Sequence, residues 1–326
     1  MLCIENFSLV LKGSDNRSLP VLEDISLMVR PGECLGIAGE SGSGKSVLAM
    51  SIPGLIPRKS IQSREGRIIF ADSDLLTMTE NELQKVRGRK IGFVFQEPMT
   101  AMNPLMTLYE QVAEGIRFHF QGLTESDVRQ KVSKALKSAG FSEPEKFYDS
   151  YPHQLSGGMR QRAMIGIGLA LDPDIVIADE PTTAIDAGIQ VQLLKELRAS
   201  LVNEKTALVF ISHDLGVLRV ISDKLAVLYA GNLVEYGDTK EVLSHPYHPY
   251  SGDLMAALPR LVKERVLPKP IPGSLPRPDQ KPSGCVYADR CSLVKDACHS
   301  ARPPMKEIVA GRFARCLFPL KSGDAQ

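Results

Sequence analysis

The chain predicts an α/β fold with a largely parallel core sheet and helices on both faces. Three observations predict it. Short apolar runs recur and end at polar or glycine-rich tips: Cys34–Ala38 at a glycine loop, Ile91–Phe95 at Gln96, Asp174–Ala178 at Asp179, and Thr206–Ile211 at Ser212. Stretches of helical spacing separate them, which is the alternation of a parallel sheet. Ligands of such sheets sit at strand carboxyl ends, and Gly44, Gln96, Asp179 and His213 all fall there.

Taken in order, Leu2–Leu11 alternates and reads as a strand, and Gly13–Pro20 reads as a polar turn. Ile25, Leu27 and Val29 alternate again before Pro31 and Gly32 turn the chain. These strands predict an antiparallel part ahead of the core. Ser46–Ile52 reads as a helix stopped by Pro53 and Gly54, and Gly66–Phe70 as a strand. Thr79–Arg89 is expected to be helical, with Thr79 and Glu82 spaced as a capping box. Two prolines make Glu97–Pro104 a loop. Leu105–Ser150 has helical spacing and no clear strand, so an inserted helical subdomain is expected over about 105–160. Ser156 opens a helix over Met159–Leu171, and a further helix covers roughly Ile189–Val202. Leu225–Tyr229 and Asn232–Tyr236 form a hairpin over Ala230 and Gly231.

Between the strand at Cys34 and the helix at Ser46 lies Gly39-Glu40-Ser41-Gly42-Ser43-Gly44-Lys45-Ser46. Gly, four residues, then Gly-Lys-Ser is the spacing of a phosphate-binding loop. A triphosphate needs several backbone N–H groups turned inward at once, and the three glycines let the chain curl without Cβ clashes. Lys45 suits the β- and γ-phosphates, and the Ser46 hydroxyl suits Mg²⁺.

Asp179 and Glu180 cap the next buried strand. Beside a phosphate loop, Asp179 suits water-mediated contact with Mg²⁺ and Glu180 suits a general base for an attacking water. His213 and Gln96 are ambiguous alone: each fits a phosphate or Mg²⁺ site, and each fits a structural role at a strand end. Leu155-Ser156-Gly157-Gly158-Met159-Arg160-Gln161 supplies a second anion-binding device, because Ser-Gly-Gly opens a helix whose first N–H groups are unbonded.

Composition narrows the classes. Lys plus Arg is 39 against 38 for Asp plus Glu, so no strongly basic nucleic-acid surface is indicated. No apolar run approaches the roughly 18–20 residues that cross a bilayer. Met1-Leu-Cys-Ile-Glu-Asn is no signal peptide, so a cytoplasmic protein is expected. In that compartment six cysteines read as thiols or metal ligands rather than disulfides.

With these motifs in one order, the chain resembles an ATP-binding-cassette (ABC) ATPase. Gly39 to Ser46 looks like the P-loop, Gln96 the Q-loop, Leu155 to Gln161 the signature, Ile175 to Glu180 the second Walker motif, Thr183 to Asp186 the D-loop and His213 the H-loop. Gln96–Pro104, Tyr151–Arg160 and His245–Tyr250 with the cysteine-bearing tail look like the oligopeptide/dipeptide/nickel importer subfamily. The resemblance implies an ABC domain over 1–244 and an importer-type extension over 245–326, reached through the proline-rich 268–282. It implies ATP with Mg²⁺ at Ser46, Gln96 and Asp179, and catalysis by Glu180 with His213 and Gln96. The signature of one cassette would act on ATP held by another, either a copy or a paralogue. Two membrane permease subunits and an external solute-binding protein would complete a peptide importer at the cytoplasmic face of the cell (inner) membrane, with no nucleic acid. The alternatives are an importer of nickel or another small solute, and a soluble ABC ATPase not tied to transport. The family's adenine-stacking aromatic would fall near Leu11, with Phe7 as a candidate substitute.

Cys285, Cys291, Cys298 and Cys316 crowd into a 32-residue stretch, at intervals of five, six and seventeen residues. The spacing fits neither zinc ribbons nor ferredoxins, so it supports four thiolates round one metal without naming the metal. His299 leaves room for a mixed ligand set, and four reduced thiols are the plain alternative. Resemblance leans towards a [4Fe–4S] cluster.

Overall fold

The computed structural model describes residues 1–13, 15, 17–181, 194, 195, 198, 201, 205–257 and 270–321. Asp186 with the rest of the D-loop, and most of the helix expected over 189–202, lie outside the described residues. The chain forms two compact units, one of Met1, Val29–Cys34 and Asp74–Ile211, the other of Leu2–Met28, Leu35–Ser73 and Ser212–Gln326.

The second unit carries β1 (Leu2–Lys12), β2 (Ser18–Val29), β3 (Cys34–Ala38) and β4 (Ile61–Phe70), which the two-residue β5 (Ser73–Asp74) follows in the chain. It also carries β9 (Lys224–Tyr229) and β10 (Asn232–Asp238). Its strands lie in the order β4-β1-β2-β10-β9-β3. β1 and β4 are antiparallel, as are β9 and β10, whereas β3 and β9 are parallel. β2 begins inside the stretch expected to be a turn, and β4 begins five residues earlier than the apolar pattern suggests. The β4 extension is mostly polar and exposed, and pairing with residues 8–11 of β1 holds it. β1 buries Leu2 and Ile4, then Phe7 and Leu9. The parity flips because a bulge at Asn6, which has φ 47°, inserts one residue. Phe7 is thereby only 1% exposed, in the core, and offers no face to a ligand ring.

The first unit carries β6 (Ile91–Val94), β7 (Ile175–Asp179) and β8 (Ala207–Ile211), all parallel. Every residue of β7 and β8 is buried, which explains their unbroken apolar runs. Its helices include α1 (Glu80–Val86), α2 (Pro98–Ala101), α3 (Leu108–His119), α4 (Glu125–Ser138) and α5 (Gly157–Leu169). The Thr79–Glu82 capping box forms as its spacing predicts, and Thr107–Glu110 and Thr124–Asp127 repeat it. α2 occupies part of the expected loop, because Pro98 at its first turn is compatible with a helix start. Helical pieces fill 105–150 with no strand among its residues.

The tail is built into the second unit. β11 (Lys306–Val309) pairs with β12 (Arg312–Ala314), which adds antiparallel to β10. Arg312 donates to the fully buried Glu235 across 3.0 Å, and Arg315 reaches Asp24 at 2.9 Å. Burial pushes the Glu235 carboxyl up, opposed by N–H groups of Tyr247 and His248 and by the Arg312 charge.

Candidate functional site

β3 is wholly buried and delivers the glycine loop. Gly39, Gly42 and Gly44 have φ of 148°, 81° and 103°. A Cβ at Gly39 would stand 2.2 Å from the Leu228 carbonyl oxygen, so only glycine fits there. A short helix over Lys45–Ser51 follows. Lys45 is 5% exposed and donates from Nζ to the carbonyls of Gly39 and Glu40 at 2.8 and 2.9 Å. The ammonium thus lies over its own loop, where phosphate oxygens are stronger acceptors than carbonyls. Ser43 is fully buried, and among the described residues its hydroxyl has no hydrogen-bond partner. Ser41 is exposed, and Glu40 and Ser46 are half-buried.

Three site residues of the first unit meet at adjacent strand tips. Val94 of β6 pairs with Ala178 of β7, which puts Gln96 beside Asp179 and Glu180. Asp179 is 5% exposed. Glu180 has φ 45°, and its N–H donates to the Ile211 carbonyl at 3.1 Å. That left-handed conformation costs a glutamate about 1–3 kcal/mol and persists where the surroundings fix it. Gln96 Nε2 donates to Glu180 Oε2 at 3.2 Å.

Leu155 is buried, and Ser156 caps α5, accepting the Met159 N–H at 3.3 Å. Gly157, Gly158, Met159 and Arg160 are half-buried around that helix start. A Cβ on Gly92 of β6 would meet the Gly168 carbonyl at 2.2 Å, so the helix lies directly on the strand that leads to Gln96. Gln161 is fully buried, with neither amide atom hydrogen-bonded among the described residues. Arg160 reaches the sulfur of Met99, which is 57% exposed.

His213, in the second unit, is exposed. Asp214 beside it caps a helix over Leu215–Ile221, accepting the Gly216 and Val217 N–H groups at 2.8 and 3.2 Å.

Cys285, Cys291, Cys298 and Cys316 all line one apolar cavity of about 20 Å³, with His248 and Tyr287 in its wall. None is in a disulfide. Burial pushes Cys316 up to about 11, the Phe318 N–H opposes this, and the other three cysteines add to the rise. Burial likewise raises Cys285 and Cys291. As placed, the sulfurs do not close into a ligand set: among the described residues, no group of three or more His, Cys, Asp or Glu is arranged to hold a metal ion.

Sequence reasoning missed what surrounds Glu40. Its N–H donates to the Tyr250 hydroxyl at 2.9 Å, and its carboxylate takes both Nη atoms of Arg290, at 2.8 and 2.9 Å. Tyr229 Oη accepts from Arg290 at 3.2 Å. No local pattern signals a contact between residues 250 positions apart.

Comparison with known proteins bears on this geometry. Residues 22–183 match the ABC transporter family and residues 234–298 the oligopeptide/dipeptide transporter C-terminal region. The chain is 38% identical over 308 residues to the oligopeptide transport ATP-binding protein AppD of Bacillus subtilis, covering 94% of each. It is equally similar, with the same coverage, to the dipeptide transport ATP-binding protein DppD of Escherichia coli. Among solved structures, a dimeric ATP-binding cassette, MJ0796, in a post-hydrolysis state with ADP and Pi, superposes with TM-score 0.66. Its identity is 29%, over 73% of this chain and 99% of that one. Likeness along nearly the whole length, tail included, leads to one conclusion: the chain belongs to the ATP-binding subunits of ABC transporters, in the oligopeptide/dipeptide group.

Proposed function

We propose that this chain hydrolyses ATP to energise uptake of peptides through an ABC importer. The observation that carries the reading is that its likeness to peptide-transport ATP-binding subunits runs through the tail as well as the cassette. The nucleotide is held by Gly39, Glu40, Ser41, Gly42, Ser43, Gly44, Lys45 and Ser46. Glu180 takes a proton from the attacking water, Gln96 orients that carboxylate, and His213 faces the γ-phosphate. The Ser156–Gln161 helix start serves the ATP of a second cassette, helped by Asp186 of the D-loop.

The Mg²⁺ reading rests on donor chemistry. Ser46, Gln96 and Asp179 offer hydroxyl, amide and carboxylate oxygens, the hard ligands this ion takes. Mg²⁺ supplies neutralisation of phosphate charge when bound. The four tail cysteines suit a [4Fe–4S] cluster by number and type, and metal would displace the protons that burial holds on Cys285, Cys291 and Cys316. Such a cluster would act as a staple for a small subdomain.

The partners in this reading are a second cassette, two membrane permeases and an external solute-binding protein. Among the described residues no helix is long and apolar enough to cross a membrane. Attachment at the cytoplasmic face of the inner membrane therefore goes through the permeases. The test is uptake: cells lacking this subunit should stop accumulating labelled di- to pentapeptides, and the tagged chain should co-purify with an integral membrane permease. Unchanged peptide uptake with lost nickel uptake would overturn the solute, and absence of any permease would overturn the importer.

A further inference from the structure

We propose that Arg290 is a positioning residue of the nucleotide site, by which the C-terminal tail sets the shape of the phosphate loop. The inference rests on reading Gly39–Ser46 as that loop.

Glu40 is held at all three of its polar groups. Its N–H donates to Tyr250 Oη, its carbonyl accepts from Lys45 Nζ at 2.9 Å, and its carboxylate is clasped by Arg290. A two-point guanidinium–carboxylate pair fixes direction as well as distance. The pair is shielded, since the Arg290 side chain is 6% exposed. A guanidinium stays charged at any pH the protein meets, so the pair needs no titration to form. Arg290 is itself pinned: Nε donates to the Pro272 carbonyl at 2.7 Å, and the guanidinium lies 5.6 Å from the Tyr229 ring centre. Through Glu40 the tail therefore orients the carbonyl that Lys45 uses, and with it the ammonium.

A second contact supports the first. Lys281 donates to Glu23 at 2.6 Å, the Glu23 N–H donates to the Gly231 carbonyl at 2.9 Å, and the Gly231 N–H donates to the Ser43 carbonyl at 2.8 Å. The tail so reaches both flanks of the loop. Arg290 also sits in the turn between Cys285 and Cys291, where its N–H donates to the Tyr287 carbonyl at 3.1 Å. Tyr287 lines the thiol cavity and meets Tyr229 edge to face, with ring centres 5.0 Å apart. The turn that shapes the cavity is the turn that carries the clamp.

The test uses the full chain and a fluorescent ATP analogue. Arg290→Met should weaken binding by about tenfold, the scale of a coupling between two sites, and Arg290→Lys should restore part of it. Glu40→Gln should cost a similar factor, and the double variant should be no worse than the worse single one. In the assembled transporter KM for ATP should rise by more than kcat falls. A purely structural arginine would lower the melting temperature and leave affinity unchanged, which would overturn the proposal. Additive effects in the double variant would do the same. If Arg290→Met does not fold, unchanged affinity in Glu40→Gln overturns it. Lys45→Ala separates the two readings: loss of binding there with none in Arg290→Met sinks the clamp alone, whereas intact binding in Lys45→Ala sinks the phosphate loop itself.

Discussion

Gln96 Nε2 donates to Glu180 Oε2, so the tips of two neighbouring parallel strands are joined through side chains. An amide that donates from nitrogen keeps its carbonyl oxygen for a cation. One residue can thereby hold the proposed base and present a ligand atom, which a hydrocarbon could not do.

Glu180→Gln should retain ATP binding and lose most turnover, by ~10²–10⁴-fold, the usual contribution of a general base. Steady-state phosphate release from the assembled transporter checks this. Near-normal release would remove Glu180 from the role.

We predict that the loop after Gln96 contacts the permease, and Met99 and Met102 are two crosslinking sites to compare. The structure separates them. Met99 is 57% exposed and Leu105 84%, but Met102 is 3% exposed and packs inward. Cysteine at 99 or 105 should crosslink to a permease subunit in membranes, and cysteine at 102 should not. An assembled transporter with no crosslink at 99 or 105 would count against this docking face.

His248 gives a pH dependence. Its Nδ1 accepts the Tyr250 N–H at 3.1 Å, and burial pushes the ring down to about 3. The unfolded chain takes up this proton below about pH 6.5, while the folded one refuses it until about 3. Stability is therefore full above 6.5 and falls as the pH drops through that window, by about 2 kcal/mol between 6.5 and 5. Urea midpoints at pH 7 and 5 should differ less in His248→Asn than in the native chain. An equal difference would show that another group sets the slope.

Anaerobic purification should yield brown protein with about four irons per chain. Cys291→Ser should lose the metal. Colourless protein whose four tail thiols all react would leave the cavity as packing alone.

What could be read in advance follows from the range of the interactions. The runs at β3, β7 and β8 were legible because strands covered on both faces need apolar residues throughout. Thr79 and Glu82 were legible because a capping box is complete within four residues. The glycine loop and the Asp179–Glu180 tip were legible for the same reason, since their spacing carries the chemistry. The Asn6 bulge was hidden, because its cause is the opposing strand. The burial of Met102 leaves no sign in the sequence, because only tertiary packing turns it inward. Arg290 was invisible beside Cys291, since its partner lies at the other end of the chain.

That distance matters during synthesis. The phosphate loop leaves the ribosome early, whereas Arg290 and Arg312 are made near the end. A nascent chain that has folded up to β10 carries a Glu235 with neither its guanidinium nor its β12 partner, and a Glu40 without its clasp. Chains release ordinary domains as they emerge, but this one completes its phosphate loop only once the tail is out. Premature termination, or a chimera that takes its tail from a relative without these arginines, would yield a protein with its glycine loop present and unset.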